Sequence, residues 1–369
     1  MLIVSYLRTW PLGSTEAEMA QGRRWSAQDI RGDLLDTINV AFALLDGTRL
    51  YLPALQDQPG LPAFSNLFEE LAAVKARYPQ VRINLSVGGW GAEGFSDLAS
   101  SRASRAQFAA EAASWIGRYN LDGIDIDWEY PVGPPGGQEI KSRPEDGENY
   151  VRLLGDLRRE LNTLSAKLGR PLTLTTAVPA LAWFVQVVDV ARVQEQVDYL
   201  KLMAYDFYGG WSATTGHAAN LFSNPQDPAG WSGDQAVELY LKAGVQPGKL
   251  LLGVPFYARA WRGVEPKNNG LFQPFSSAAY AHGLSYNELK ERFLTDPSYV
   301  RHWDDTAKAA YLYNGSEFIS YEDAQSLGHK AAYARRRGLA GLMIWEYGHD
   351  LSGELLTALS KSLQEQNEL

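Results

Sequence analysis

The chain has no cysteine, which removes zinc–thiolate, iron–sulfur and thiol-nucleophile chemistry together and rules out disulfides. It also lacks any run of 18 or more apolar residues, the length a membrane-spanning helix requires. Histidine is scarce. The five present, His217, His282, His302, His329 and His349, show no metal-ligand spacing, so neither a metal nor another cofactor is expected. Cations are outnumbered, with 34 Lys and Arg against 43 Asp and Glu. The resulting net charge of -9 repels polyanions, which makes nucleic acid and anionic membrane surfaces poor partners. A neutral polymer is not excluded. Repeats with a period of roughly 20–50 residues and low-complexity segments are absent as well.

What the chain has in plenty is aromatic surface: 11 Trp, 19 Tyr and 13 Phe. Many of these must fill a core, but a pyranose ring offers an apolar C–H face that packs on a π face, so a sugar-stacking cleft is a second use. Hydrophobic residues at 45% and charged residues at 21% are ordinary for a globular protein. A length of 369 residues suits one barrel of roughly 250 residues with insertions, or two ordinary domains.

Short β-rich runs alternate with longer helical patterns. The candidate strands are Leu2–Tyr6, Thr37–Leu44, Val81–Val87, Gly123–Glu129, Leu172–Val178, Val197–Tyr205, Lys249–Phe256 and Leu339–Trp345. Amphipathic stretches such as Ala103–Tyr119, Tyr150–Leu168 and Tyr321–Arg337 lie between them. Eight strands with helical crossovers fit a closed (β/α)8 TIM barrel better than an open doubly wound sheet. Residues 1–257 and 321–369 are assigned to this barrel. The intervening 258–320 carries its own patterning (Ala258–Val264, Ser285–Leu294, Ala309–Tyr313, Phe318–Ser320) and is too long for a loop, so it reads as a small inserted α+β subdomain. Pro131–Glu148, rich in Pro and Gly, reads as a long loop.

The densest chemical signal is Leu121-Asp122-Gly123-Ile124-Asp125-Ile126-Asp127-Trp128-Glu129-Tyr130-Pro131. Alternate side chains of a strand share a face. Asp125, Asp127 and Glu129 therefore point one way, into the barrel, and Ile124, Ile126 and Trp128 point the other. Asp122 has the wrong parity and is placed at the strand's entry, where a bulge could redirect it. An exposed edge strand would not alternate acids with Ile-Ile-Trp, and a calcium site would want a turn with glycine at its bend. Repulsion among buried like charges predicts a proton shared within the Asp125–Asp127 pair and a raised pKa at Glu129. A neutral carboxylic acid at a strand end is what protonation of a glycosidic oxygen needs.

This run resembles the DxxDxDxE signature of the family-18 glycoside hydrolases, and the resemblance covers essentially the whole chain. Ser86-Val87-Gly88-Gly89-Trp90 is similar to that family's SxGG motif, and Met203-Ala204-Tyr205-Asp206 to its MxYD motif. Gly253-Val254-Pro255-Phe256-Tyr257 and Gly341-Leu342-Met343-Ile344-Trp345 match its seventh and eighth strands, and 258–320 its chitinase insertion. Ala258 departs from the usual Gly, which bears only on local loop geometry. The resemblance implies a chitinase that cleaves chitin and chitooligosaccharides with retention through an oxazolinium intermediate, the 2-acetamido oxygen acting as nucleophile. It implies that Glu129 is the proton donor, Asp127 holds the acetamido nitrogen, Asp125 and Asp122 tune that pair, and Tyr205 donates to the acetamido carbonyl. Met203, Asp206 and Trp345 then shape the pocket, Tyr6 and Ser86 hold the inner aspartates, and Tyr130, Tyr257, Trp90 and Trp211 contribute to substrate binding.

Other readings are weaker. Gly89-Trp90-Gly91-Ala92-Glu93-Gly94 matches GxGxxG, but a Trp in a pyrophosphate turn is awkward, and the glycines more simply permit a sharp turn at the barrel rim. Arg335-Arg336-Arg337 suits a helix C-terminus. His217 is assigned to the cleft or to loop packing. A chitin-binding lectin would typically lack the terminal acid that Glu129 supplies, whereas an endo-β-N-acetylglucosaminidase acting on N-glycans would share all four acids. A monomer is expected. Met1–Tyr6 reads as a strand rather than a signal peptide. The resemblance implies an extracellular protein whose leader is absent from this numbering, with a cytoplasmic location as the alternative.

Overall fold

Alternation along Gly123–Asp127 sends Ile124 and Ile126 to one side, where both are fully buried in the main apolar cluster. Burying each such side chain contributes about 1.5–3 kcal/mol. The same alternation repeats around a closed sheet. In the computed structural model, which describes residues 1–57, 59, 61–133 and 140–364, the barrel strands are β1 (Leu2–Arg8), β2 (Thr37–Asp46), β4 (Arg82–Gly88), β5 (Gly123–Asp127), β6 (Thr173–Pro179), β7 (Tyr199–Met203), β8 (Leu250–Pro255) and β14 (Gly341–Trp345). Each pairs in parallel with the next, and β1 pairs with both β2 and β14, which closes the ring. A short β3 (Arg49–Tyr51) adds an antiparallel hairpin to β2.

The helices lie outside. Arg102–Tyr119 starts at Ser101, whose side chain accepts from the Ser104 N–H, and stops at Asn120 in the left-handed conformation (φ 50°). Its long neighbour, Asp146–Leu168, buries Tyr150, Leu153, Leu154, Leu157 and Leu161 along one face. Inside the ring lies a second apolar cluster, Val4, Tyr6, Ala41, Leu251 and Met343, against which Trp10, Phe42, Met203, Tyr205 and Trp345 pack.

After β8 the chain enters a separate antiparallel sheet, order β10-β9-β13-β12-β11, built from β9 (Tyr257–Arg262), β10 (Ser277–Ser285), β11 (Val300–Asp304), β12 (Ala309–Tyr313) and β13 (Glu317–Tyr321). A helix over Tyr286–Arg292 follows β10, capped by Ser285. The closed barrel and the separate sheet agree with the fold read from the sequence. In detail, β5 stops at Asp127 and not Glu129, and Tyr321 belongs to β13, so the helix placed at Tyr321–Arg337 starts at Ala324. Strands β10 and β11 were not foreseen. Within Pro131–Glu148, residues 134–139 lie outside the described residues, and the final part is already helix from Asp146. Among the described residues no helix is long and apolar enough to cross a membrane.

Candidate active site

Four other barrel strands hold Asp125, two of them the neighbours of β5. Ser86 of β4 and Thr175 of β6 stand in register with it. Both hydroxyls donate to its carboxylate at 2.7 Å, Ser86 to Oδ2 and Thr175 to Oδ1. Tyr6 of β1 donates its hydroxyl to Oδ2 at 2.8 Å. Lys201 of β7 contacts Oδ1 as an ion pair and donates to the Tyr6 hydroxyl at 2.7 Å, with its ammonium 4.4 Å from the centre of that ring. Lys201 and Asp125 are both fully buried. The proton sharing between Asp125 and Asp127 foreseen from the sequence therefore needs correction. Four donors already fill the Asp125 carboxylate, which has about four lone-pair sites.

Two residues further along, Asp127 is almost completely buried, and its Oδ1 has no partner. Burial first, then the Glu129 and Asp125 charges, push its pKa well up, against a smaller opposing effect of Lys201. Glu129, partly exposed beyond the strand end, is raised to about 7. Burial is the main cause, a hydrogen bond with Tyr130 opposes it, and the Asp206 charge adds to it. Close backbone approach makes room for this strand end. Gly88 has φ 119°, and a Cβ there would stand 2.0 Å from the Asp127 carbonyl oxygen, so only glycine fits. Gly89 follows at φ 94°, turning the chain at the barrel rim.

The floor of the cavity is aromatic. Trp345 stacks on Phe42 at 5.5 Å and 17°, lies 5.1 Å from Tyr6, and packs near Trp10 at 6.3 Å. Met203 and Tyr205 pack into the same cluster, the Tyr205 hydroxyl 3.9 Å from the Met343 sulfur and its ring 6.3 Å from Tyr257. Asp206 adopts a left-handed φ of 58° and meets Arg259 of β9 in a fork of two 2.8 Å hydrogen bonds. Arg259 in turn lies against the Trp211 and Tyr257 rings at 5.2 and 5.1 Å. On the other side Tyr130 meets Trp183 edge-on at 5.3 Å and Trp90 at 6.4 Å. Trp90 and Trp211 are 64% and 63% exposed, far more than core packing produces, and both rings are open to a ligand.

Thus Tyr6, Ser86, Asp125, Asp127, Glu129, Tyr130, Met203, Tyr205, Asp206, Tyr257 and Trp345 converge at or beside one barrel end, with Trp90 and Trp211 on its rim. Asp122 does not. It precedes β5, at the opposite end of the strand from Glu129, where its carboxylate pairs with Lys75 at 2.8 Å and Arg170 at 2.7 Å and accepts from the Ile83 N–H at 2.8 Å. No bulge turns it inward, and its assigned place at the substrate is corrected to a structural one. His217 is likewise buried away from solvent, its Nε2 2.9 Å from Asp304, in a packing role. Lys201, Thr175, Arg259, Trp10, Phe42 and Trp183 belong to the site or its walls and were missed. Among the described residues no group of three or more His, Cys, Asp or Glu could hold a metal ion.

A family model described as glycosyl hydrolases family 18 matches residues 3–350. The chain belongs to this family. Its relatives in family 18 include Chitinase A1 of Niallia circulans, 34% identical over 359 residues, or 92% of this chain and 50% of that protein. The chain spans 43% of another relative, Chitinase A of Pseudoalteromonas piscicida, so it corresponds to about half of these proteins. Among solved structures it is similar to a family 18 N-acetylglucosaminidase from Paenibacillus barengoltzii. The two share 34% identity with a TM-score of 0.85, covering 98% of this chain and 99% of that one. A class V chitinase of Nicotiana tobaccum in complex with NAG4 is 26% identical with a TM-score of 0.82, covering 99% of both chains.

Proposed function

We propose that this barrel hydrolyses chitin and chitooligosaccharides with retention, Glu129 acting as general acid and the substrate's own 2-acetamido oxygen as nucleophile. The observation that carries this reading is the contrast between two adjacent acids. Glu129 is partly exposed, with a pKa near neutrality, while Asp127 presents an unpartnered, buried Oδ1 beside it. A neutral Glu129 protonates the leaving glycosidic oxygen. Asp127 accepts the acetamido N–H and stabilises the positive charge that develops on that nitrogen. Among the described residues a second carboxylate to serve as nucleophile is not at hand, since Asp125 is saturated with donors and Asp206 is clamped by Arg259. Substrate assistance replaces it, because an intramolecular nucleophile held in place reaches an effective molarity of roughly 10⁵ M or more. The Trp345 floor and the exposed Trp90 and Trp211 offer stacking faces for successive sugars.

The test is to follow products by NMR from chitin oligomers, cellulose oligomers and a high-mannose glycoprotein. Disaccharide released initially as the β anomer, with cellulose untouched, is the expected result. Initial α product or equal cleavage of cellulose would overturn substrate assistance. Preferential release of glycans from the glycoprotein would identify an endo-β-N-acetylglucosaminidase. Release of monosaccharide alone would place the chain with its relative named an N-acetylglucosaminidase.

A further inference from the structure

Lys201 is a fully buried cation on a barrel strand whose other residues are apolar or aromatic. A lone ammonium in such a place costs several kcal/mol unless it is paired. Its partners are the Asp125 carboxylate and the Tyr6 hydroxyl, both in the layer directly beneath the reacting acids. We propose, resting on the function just argued, that Lys201 is a positioning residue for catalysis: its ammonium occupies the Asp125 carboxylate and thereby steers the site's mobile proton to Asp127 and Glu129.

The geometry explains why the proton has one place to go. Asp125 accepts from Tyr6, Ser86, Thr175 and Lys201, so protonating it means expelling a donor from a packed interior. Asp127 Oδ1 has no donor at all. The charged or titratable groups facing this layer are Tyr6 from β1, Asp127 and Glu129 from β5, Lys201 from β7 and Tyr205 just beyond it. Tyr150 faces it from the helix Asp146–Leu168, its hydroxyl raised partly by Asp125 and Asp127. Among the described residues Lys201 is the single cation in that set. Burial pulls its own proton affinity down and Asp125 offsets only part of that, so it stays below the ordinary lysine value, as a mutually dependent pair requires.

Removing the ammonium removes what lowers the proton affinity of Asp127. The Asp125–Asp127 pair as a whole then keeps a proton to higher pH, whichever of the two carries it, and the acidic limb of kcat/KM on chitin oligomers moves upward. Loss of one unit charge near a buried carboxylate corresponds to roughly one to two pH units. Lys201→Met is the variant to measure. Adding Asp125→Asn to it deletes the other half of the pair, restores the net charge, and should return the acidic limb to its wild-type position even at a reduced rate. A purely structural lysine would give slower or less stable variants with the limb unmoved, and that outcome overturns the proposal. Should the variants not fold, ¹⁵N NMR of lysine-labelled wild-type protein answers instead. An ammonium Nζ throughout the active pH range supports the proposal, and a neutral amine at the pH of maximal activity overturns it. The NMR arm needs no substrate, so it stands even if the wild-type protein proves inactive on chitin oligomers, which would refute the functional reading alone.

Discussion

A glutamate whose burial lifts its pKa from 4.5 to about 7 binds more protons folded than unfolded between those values. Stability therefore falls as pH rises through that window, and the loss is complete above about 7. Glu129→Gln removes this dependence. The variant should gain on the order of 1–2 kcal/mol over wild type at pH 8, and little at pH 4, once partial solvent screening of Glu129 is allowed for. The same substitution removes the transferable proton and should lower kcat by ~10²-fold or more while leaving oligosaccharide affinity near normal. Thermal unfolding across pH and single-turnover kinetics check the two halves. A variant that retains more than about a tenth of wild-type kcat, where loss of general acid catalysis should cost ~10²-fold, would dismiss Glu129 as the acid. Residue by residue, the sequence was readable wherever alternation decided direction. The turn from Ile-Asp-Ile-Asp to Trp-Glu placed three acids on one face. The same parity puts Lys201 on the face of Met203 and Tyr205, but a lone lysine among apolar neighbours reads equally well as a strand end reaching solvent. Asp122 misled for the opposite reason: it shares the motif's spacing but stands outside the strand whose periodicity gives that spacing meaning.

Between elements, Asp122 acts as a peg. Its carboxylate joins Lys75 on the helix Leu67–Arg77, the Ile83 N–H near the start of β4, and Arg170 ahead of β6. Asp122→Ala takes the carboxylate from two cations, which keep only the neutral oxygens of Asn120 and Leu121, and leaves one strand N–H without its acceptor, which should cost roughly 1–3 kcal/mol. Because the peg lies at the barrel end opposite Glu129, kcat/KM on chitin oligomers should stay within about twofold of wild type once folding is ensured, since only catalytic contacts change transition-state binding. A large fall in kcat/KM without loss of stability would return Asp122 to the active site. The eight barrel strands were legible because each is a short β-branched or apolar run flanked by turn residues. Strands β10 and β11 were not. Their sequences, Ser-Ala-Ala-Tyr-Ala-His-Gly-Leu-Ser and Val-Arg-His-Trp-Asp, occupy the two edges of the antiparallel sheet, where half-exposed residues break the alternation.

At the scale of the molecule, the sheet of β9–β13 rises from the barrel end that bears Asp127 and Glu129, the end where TIM-barrel sites lie. It supplies Arg259, which clamps Asp206. Its two stem strands are hydrogen-bonded neighbours, Arg259 pairing with Ser320, so the chain leaves and re-enters the barrel side by side. Replacing Ala258–Ser320 with a short Gly/Ser turn is therefore geometrically undemanding. The product should cut long oligomers more randomly and bind them more weakly, since a wall and the Arg259 clamp are both gone. Unchanged disaccharide release from a folded truncation would show that the wall has no such role. Closure of the barrel carries a last consequence, for how the protein is made. Strand β1 is complete within the first 8 residues, yet one of its two partners, β14, is not synthesised until residues 341–345. Once β8 is made and until β14 follows, the nascent sheet holds open edges on β1 and β8, and no local contact can substitute for the last strand. The final hydrogen-bond ladder must form after all the residues between β1 and β14 have left the ribosome, which makes the incomplete barrel the species a chaperone would meet.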